Sequence, residues 1–205
     1  MPQIQKLGAF AAFLNVIVAV ATLIVAVAWI GFPAMADPNK LAELAISNPA
    51  PLIVQDGFKF ASVVISTVLI LALANRLWRG GSTFILVATG FGFASTLCLL
   101  INTILSLYAI SQAATFAREG LATGSQINSA IGILAVAALG LDGLWFLSIG
   151  WAGLKRRQLP NFLCYLSLVM GVLSLIPPLG IIVLLLGMIW SAWVGRVLWQ
   201  GKPAS

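Results

Sequence analysis

Asp142 is the side chain whose position most favours chemistry, because it is the single carboxyl in an apolar stretch from residue 128 to residue 154. In a helix that rises about 1.5 Å per residue, Asp142 lies about 21 Å from the start of that stretch and about 18 Å from its end. An ionised carboxylate at the middle of a bilayer costs about 3 kcal/mol on insertion scales. We therefore expect Asp142 to be protonated at neutral pH and to donate a hydrogen bond to a hydroxyl or a backbone carbonyl.

Two interpretations of Asp142 follow from this expectation. A neutral hydrogen bond between helices would only fix their packing, whereas a carboxyl that titrates would serve a proton-linked or solute-linked site. We favour the first. Hydroxyls reach a similar depth at Ser66, Thr67, Ser95, Thr96, Ser167 and Ser191. Every basic residue lies near the end of an apolar stretch, so we expect no cation to pair closely with Asp142.

A group of polar residues precedes Asp142 in the chain. Ser95, Asn102 and Ser106 fall on one face of a predicted helix, and Thr96 lies beside Ser95. The group could line a cavity that opens outward, or its members could bond to neighbouring helices at about 1 kcal/mol each. We favour the second interpretation. The candidate polar site comprises Asp142, Asn102, Ser95, Ser106 and Thr96.

Missing residue types exclude most enzyme classes. The chain has no histidine, so it cannot by itself build a His-ligated haem or zinc site or a Ser-His dyad. An intramembrane aspartyl protease needs two carboxyls within the bilayer, and a lipid-headgroup transferase needs acidic clusters for metal ions. Neither pattern is present, and no lysine lies deep in an apolar stretch to activate a serine. We therefore expect no enzyme activity, no catalytic residue, no metal site and no cofactor.

Composition indicates the solvent that these residues meet. Hydrophobic residues make up 61% of the 205 residues and charged residues 8%, whereas ordinary globular domains are about a quarter charged. Only lipid can cover so much apolar surface, so the chain is predicted to be an all-α membrane protein. The net charge of +6 comes from basic residues between apolar stretches. That placement indicates membrane topology rather than nucleic-acid binding.

Six apolar stretches are predicted to span the membrane and to form one transmembrane domain over residues 1–205. The predicted spans cover residues 8–32, 58–78, 82–113, 128–154, 161–176 and 181–199. The last uncharged stretch is too long for one crossing, and Pro177 and Pro178 supply the turn that divides it. The first stretch ends like a signal-peptide cleavage site, but its length of about 25 residues favours a retained helix.

Charges between the spans predict the orientation. With the N-terminus in the cytoplasm, the inner segments carry Lys6, Arg76, Arg79, Lys155, Arg156, Arg157, Arg196 and Lys202. Lys40, Lys59 and Arg118 then lie outside, together with four of the five acidic residues. The positive-inside rule favours this arrangement, so both termini are predicted to be cytoplasmic.

One outer segment, residues 33–57, is long enough to hold structure of its own. Asp37 fits an N-cap, Pro38 fits the first helical position, and Asn48 fits the end of a helix. The pattern predicts a short helix over residues 38–47. We favour a lid that lies on the outer membrane face over a gate or a docking element for a partner.

Small residues recur at intervals of four in two spans. They are Gly187, Ser191 and Gly195 in the sixth span and Ala88, Gly92 and Thr96 in the third. Such faces let helices approach closely, either within one chain or between two copies, and within a bundle of six helices we favour packing within the chain. Trp145 and Trp190 lie deep in their spans and are predicted to pack between helices.

Several segments occur in a characteristic order. A first span that ends in proline is followed by DPNKLAELAISNP, by LANRLWR at the end of the second span, and by GWAGLKRRQLPNFLCYLSLVMGVLSL from the fourth span into the fifth. This order resembles that of bacterial multi-span membrane proteins catalogued as domain of unknown function 4386. The resemblance covers nearly the whole chain. It implies a multi-span protein of the bacterial cytoplasmic membrane, and it implies no catalytic residues.

Two functions remain open from the sequence. Small loops, missing catalytic chemistry and closely packing helix faces favour a non-catalytic structural or accessory subunit, whose partners are the lipid bilayer and other membrane subunits. Asp142 at mid-depth and the polar group before it favour a small proton-linked transporter or permease, although most such transporters have more helices. We rank the accessory subunit first. A membrane sensor is disfavoured because the sequence contains no soluble output domain.

Overall fold

A computed structural model of the chain describes residues 3–35, 37–78, 82–119 and 122–200. These residues contain no β-strand, so the predicted all-α class is confirmed. The helical segments are α1 Gln3–Ile24, a π-helical turn Val25–Ile30, α2 Phe32–Met35, α3 Pro38–Ser47, α4 Ala50–Leu77, α5 Thr83–Glu119, α6 Ala122–Arg156, α7 Asn161–Ser174, a 3-10 turn Pro177–Leu179 and α8 Gly180–Gln200.

Five segments of the described chain are long and apolar enough to cross a membrane. They are Gln3–Ile30, Ala50–Leu77, Thr83–Ala117, Gly124–Arg156 and Pro177–Gln200. A helix pairs its backbone donors and acceptors internally, as lipid requires, so the chain is a helical membrane protein. α7 is also apolar but has only 14 residues. At about 21 Å, it is shorter than the hydrocarbon core of about 30 Å.

The helices longer than ten residues follow one another around a ring. Within the described chain, α1 packs against α4 and α8, α5 packs between α4 and α6, and α7 packs between α6 and α8. Because the first and last helices touch, the ring is closed. Residues from α1, α4, α5, α6, α7 and α8 meet in its core. α2 and α3 pack against each other, and α3 also contacts α5.

The hairpin of α7 and α8 ends partway along α6. A Cβ placed on Gly180, the first residue of α8, would lie 4.0 Å from Leu139 of α6. Between Ala122 and Leu139, α6 has no α7 beside it. In the described chain, the half of the ring toward Arg156 therefore contains six helices, and the half toward Ala122 contains four. We name these the six-helix half and the four-helix half.

Glycines bring α6 and α7 into backbone contact. A Cβ on Gly143 would lie 2.9 Å from the carbonyl oxygen of Gly171, and a Cβ on Gly171 would lie 2.8 Å from that of Gly143. A Cβ on Gly150 would lie 2.8 Å from the carbonyl oxygen of Cys164. Real Cβ atoms do not approach other atoms so closely, so only glycine fits. Small residues at such contacts let van der Waals packing hold two helices together in lipid.

The small-residue faces pack within the chain, as predicted. A Cβ on Gly195 would meet the ring of Phe13 at 3.1 Å, so α8 packs closely on α1. A Cβ on Gly92 would meet Ile70 of α4 and Trp145 of α6, each at 2.9 Å. Gly92 thus joins three helices, and it places the side chains of Ile70 and Trp145 at one depth of the ring.

The start of α4 differs from the predicted span. α4 begins at Ala50 rather than near residue 58, because Pro51 occupies its first turn, where a missing N–H leaves no hydrogen bond unmade. Asp56 and Lys59 are therefore helical. The prediction that Asp56 lies in a loop before the second span is wrong.

The other helix ends follow from caps and turns. Oδ1 of Asp37 accepts a hydrogen bond from the backbone N–H of Asn39 at 2.9 Å, so Asp37 caps α3, which covers Pro38–Ser47. The helix lies where the sequence predicted one, and its place at a membrane interface stays a prediction. The π-helical turn was not predicted. The N–H of Gly31 closes it onto the carbonyl of Ala26 at 2.9 Å, and Gly31 has φ 85°, which glycine adopts without strain.

Gly171→Ala should weaken the docking of α7 on α6. The new methyl group would meet Leu147 at 2.6 Å and the carbonyl oxygen of Gly143 at 2.8 Å, and overpacking costs about 1–3 kcal/mol. We expect the midpoint of thermal unfolding in detergent to fall. Gly140→Ala is the matched control, because a Cβ there meets nothing within 4 Å and alanine favours helix by up to about 1 kcal/mol. An unchanged midpoint for Gly171→Ala would contradict the contact.

Candidate functional site

The side chain of Asp142 faces the inside of the ring. One side of α6 contacts α5, because the hydroxyl of Ser95 donates to the carbonyl oxygen of Ala138 at 2.8 Å. Another side of α6 contacts α7 at Gly143. Successive residues of a helix are rotated by about 100°, so Asp142 falls between these two sides. Phe146, which packs in the core of the ring, lies on the same face.

Asp142 makes no hydrogen bond or ion pair with any other residue that the structure describes. The predicted hydrogen bond, to a hydroxyl or to a backbone carbonyl, is therefore absent within the described chain. Most hydroxyls of that depth bind elsewhere: Ser95 donates to α6, while Thr67 and Ser167 each donate at 2.8 Å to the carbonyl four residues earlier in their own helices. A carbonyl of the same helix competes with Asp142 for such a hydroxyl, because the hydroxyl reaches it without any movement of the helices. Ser66 bonds to no other described residue.

The other members of the candidate polar site have separate roles. Nδ2 of Asn102 donates to a backbone carbonyl of α6 at 2.8 Å, so Asn102 joins α5 to α6 as Ser95 does. Oγ1 of Thr96 donates to a carbonyl within α5 at 2.9 Å. Ser106 bonds to no other described residue. These contacts agree with bonding across neighbouring helices for Ser95 and Asn102, and they do not bring the group to the carboxyl of Asp142.

Two buried polar groups near Asp142 also lack a partner in the part of the chain that the structure describes. Trp145 is 4% exposed and Ser174 is 2% exposed, yet Nε1 of the first and Oγ of the second make no hydrogen bond. Trp145 follows Asp142 by three residues, and Cβ of Ser174 lies 3.0 Å from the position of a Cβ on Gly143. Each unpaired buried group costs about 1–3 kcal/mol. Together with the half-buried carboxyl of Asp142, these two groups form a candidate binding site for a polar ligand.

Three aromatic rings fill the core beside Asp142. The rings of Trp145 and Trp190 meet edge to face with centroids 5.7 Å apart, and the ring of Phe146 lies 5.0 Å from that of Trp190. Nε1 of Trp190 donates to Oγ of Ser167 at 2.7 Å, which fixes that ring against α7. The prediction that Trp145 and Trp190 pack between helices is confirmed. We name the three rings the aromatic floor, and they close the six-helix half next to Asp142.

One face of α4 changes from apolar to polar near the depth of Asp142. Leu73 and Leu69 are buried in the core. The same face continues at intervals of three, four and seven residues with Ser66, Ser62 and Gln55. These three side chains are half-buried and bond to no other described residue. We name them the α4 polar stripe, and they lie in the four-helix half.

Sequence reasoning missed a second buried carboxyl, Asp56. Asp56 is 2% exposed on α4, and its Oδ1 accepts from Nζ of Lys59 at 2.7 Å. Its Oδ2 has no partner among the described residues. The sequence does contain a signal for this pair. Asp56 and Lys59 are three residues apart, and an acid and a base at that spacing meet on one face of a helix.

Few titratable groups lie near Asp142 on the helices packed against α6. Within the described side chains they are Asp56, Lys59, Arg76, Cys98, Tyr108, Cys164 and Tyr165. Asp56 and Lys59 bind each other, and Cys164 packs against Gly150, about two helical turns from Asp142. Cys98 lies about one turn along α5 from Ser95.

Basic side chains join the helices at the six-helix end of the ring. Nη1 of Arg156 donates to the carbonyl oxygen of Leu77 at 2.8 Å, which joins α6 to the end of α4. Arg76 donates to the backbone oxygens of Gln158 and Val197, each at 3.4 Å, which joins α4 to the α6–α7 connection and to α8. The last carbonyls of a helix have no partner within it, so the bond to Leu77 also stabilises the end of α4 and the bond to Val197 the end of α8.

Ser95→Ala should loosen α5 from α6. It removes the hydrogen bond to Ala138, and bonds between membrane helices contribute about 0.6 kcal/mol on average. Reversible unfolding in mixed micelles should show a loss of that size. Ser148→Ala is the matched control, because the hydroxyl of Ser148 donates at 2.7 Å to a carbonyl of its own helix. Equal losses for both variants would contradict a role of Ser95 between helices.

Comparisons with protein-family models, with curated proteins and with solved structures find no match to this chain. The family resemblance indicated by the sequence therefore stays a prediction. What the chain does has to follow from its own residues and contacts.

Proposed function

We propose that the chain crosses the bacterial cytoplasmic membrane six times, with both termini in the cytoplasm. Residues 161–176 would span about 24 Å as a helix and form the short fifth crossing. A bilayer thins around a short span at modest cost. Basic residues support the orientation, because the helix ends of the six-helix half carry Arg76, Lys155, Arg156, Arg157 and Arg196. The positive-inside rule assigns that end to the cytoplasm and the four-helix half to the outside.

Reporter fusions test this topology. Green fluorescent protein should fluoresce when fused at either terminus, because it matures in the cytoplasm. Alkaline phosphatase inserted after Gly120, between α5 and α6, should be active outside. A chain with five crossings would place its termini on opposite sides of the membrane. A dark fusion at one terminus would therefore contradict six crossings.

We propose that the protein is a non-catalytic, proton-linked permease in which solute and proton bind at Asp142. The observation that supports this function is that Asp142 faces the inside of the ring and bonds to no other described residue. A carboxyl that only fixed packing would hold a partner, because an unpaired polar group in lipid costs several kcal/mol. A carboxyl that binds a solute has its partner when the solute is present, and ionisable residues within membranes mark function by default.

The surroundings of Asp142 support a site that is reached from one side. The aromatic floor fills the core in the six-helix half. The α4 polar stripe leads away from Asp142 in the other direction, through the four-helix half. A solute would enter along the stripe, bind at Asp142, and leave when the aromatic floor opens.

The other function that the sequence left open is a structural or accessory subunit of a membrane assembly. One observation favours it: α6 lacks a neighbouring α7 in the four-helix half, and there Ile133 is 69% exposed and Val136 is 53% exposed. A second subunit could pack on this apolar surface and supply a partner for Asp142. Crosslinking in mild-detergent extracts of the native cell distinguishes the two functions. A chain recovered only as a free monomer would argue against the accessory subunit.

Asp142→Asn should abolish proton-linked transport and leave the fold intact, because asparagine keeps hydrogen bonding but cannot titrate. The measurement uses proteoliposomes with a pH-sensitive dye inside and a mixture of amines, amino acids and sugars outside, at several pH values. Proton movement that depends on solute should fall to the level of protein-free liposomes.

Asp37→Asn is the matched control for this experiment. Asp37 caps α3 rather than facing the core of the ring, and asparagine is an equally good N-cap. Its transport should equal that of the parent protein. A parent protein that moves no proton with any solute would exclude the permease, and equal transport by Asp142→Asn would leave Asp142 a packing role only.

A further inference from the structure

We propose that the solute bound at Asp142 is a small organic cation of the protonated-amine class, which reaches the carboxylate along the α4 polar stripe. The inference rests on the permease function proposed above and names its substrate class. It is supported by a juxtaposition. One carboxyl, the unpartnered Nε1 of Trp145, the unpartnered Oγ of Ser174 and the aromatic floor lie together at one depth of the ring.

Charge selects a cation at this site. Asp142 is the only charged residue of α6 before its last turn. Arg76 and Arg156 are held at the six-helix end by backbone carbonyls, and Lys59 is paired with Asp56. An anion would therefore meet a carboxyl without a nearby cation, and a neutral solute would leave the carboxyl protonated and would release no proton. An ammonium group supplies both the opposite charge and hydrogen-bond donors.

The aromatic floor favours an organic cation over a metal ion. Trp145 and Phe146 follow Asp142 by three and four residues, and helical side chains lean toward the N-terminal end of their helix. Because Asp142 leans the same way, both rings lie within about one helical turn of its carboxyl. Ammonium groups bind the faces of such rings within about 6 Å. A hard metal ion needs a shell of oxygen ligands, whereas the side chains of Ser95 and Asn102 are held on the backbone of α6.

The two unpartnered groups fit an amine. Oγ of Ser174 can accept one N–H of the ammonium group, and the carboxylate of Asp142 can accept another. Once Asp142 has lost its proton, its second oxygen can also accept from Nε1 of Trp145. An amine would thus give a partner to Oγ of Ser174 and, by ionising Asp142, an acceptor to Nε1 of Trp145.

The route to the site runs through the four-helix half. Ala135 lies on the same face of α6 as Asp142, seven residues away, and it is exposed. On α4, Ser66 belongs to the polar stripe, whereas Val64 is 54% exposed and lies on the outer surface of the ring. Polar residues on the inner face and apolar residues on the lipid face are typical of a water-filled path through a bundle.

Proton and amine compete for one carboxylate. When the ammonium group binds, the O–H bond of Asp142 breaks, the proton leaves to water, and the carboxylate pairs with the cation. The site is then neutral both before and after the exchange, which a medium of low dielectric constant favours. Cys98, Cys164 and Tyr165 also lie on the packed helices, so the Asp142→Asn variant is needed to assign the released proton.

Binding by the full-length protein in detergent tests the substrate class. The probe is phenethylamine, with phenethyl alcohol as its neutral analogue and phenylacetate as its anionic analogue. The readouts are tryptophan fluorescence, because Trp145 and Trp190 form the floor, and proton release into weak buffer. We expect the amine to change the fluorescence and to release close to one proton per bound amine. Both analogues should bind at least about tenfold more weakly, because each lacks the charge pair.

Variants separate the role of Asp142 from its effect on folding. Asp142→Glu should keep amine-linked proton release, Asp142→Asn should lose it, and Asp37→Asn should match the parent protein. Amine binding by Asp142→Asn at parental affinity, or equal binding of phenethyl alcohol, would overturn the proposal. If phenethylamine does not bind while proteoliposomes still show Asp142-dependent transport of another solute, only the proposed substrate class is wrong. No transport of any solute would instead reject the permease.

Cysteine accessibility tests the route. In a background of Cys98→Ala and Cys164→Ala, Ser66→Cys should react with a membrane-impermeant cationic thiosulfonate added from outside. Phenethylamine should slow that reaction. Val64→Cys, on the lipid-facing side of the same helix, should stay unreactive. A Ser66→Cys variant that reacts no faster than Val64→Cys would overturn the proposed route.

Discussion

A polar group inside lipid has no water to bind, and this constraint governs how the chain uses its few polar side chains. Asn15 donates to Ser191, and Ser95 and Asn102 donate to α6, so each of these bonds joins two helices. The threonines that fold back on their own helices are Thr22, Thr67, Thr89, Thr96 and Thr103. Asp142 makes no such bond to any described residue, and the proposed ligand site rests on this difference.

The length of α7 determines where a carboxyl without a described partner, such as Asp142, can lie. α7 has 14 residues, whereas α6 has 35, and the turn Pro177–Leu179 brings the chain back beside Leu139. Asp142 therefore lies at the boundary between a packed core and an interior that α7 does not cover. A binding site needs a rigid wall and an open approach. Because α7 is shorter than α6, the packed core can serve as the wall and the uncovered interior as the approach, both at the depth of Asp142.

Hydrophobicity along the chain was sufficient to predict the long helices, and the adjacent prolines predicted the turn at Pro177 and Pro178. The depth of Asp142 in the membrane stays a prediction. Hydrophobicity could not predict which partners Asp142 has, because a partner depends on the rotation and tilt of neighbouring helices. Contacts between distant residues, such as Gly92 with Ile70, set that rotation. The early start of α4 was missed for a local reason. The polar residues around Asp56 predict a loop, although an ion pair with Lys59 allows Asp56 in a helix.

Gly143 links the fold to the site. Because it has no side chain, the backbone of α7 lies against α6 one residue from Asp142, and this contact brings Ser174 to the same depth. The close packing that fixes α7 thus also orients Asp142 toward the core. Polar groups held by packed helices are more precisely placed than groups on loops, so a ligand has little left to order when it binds.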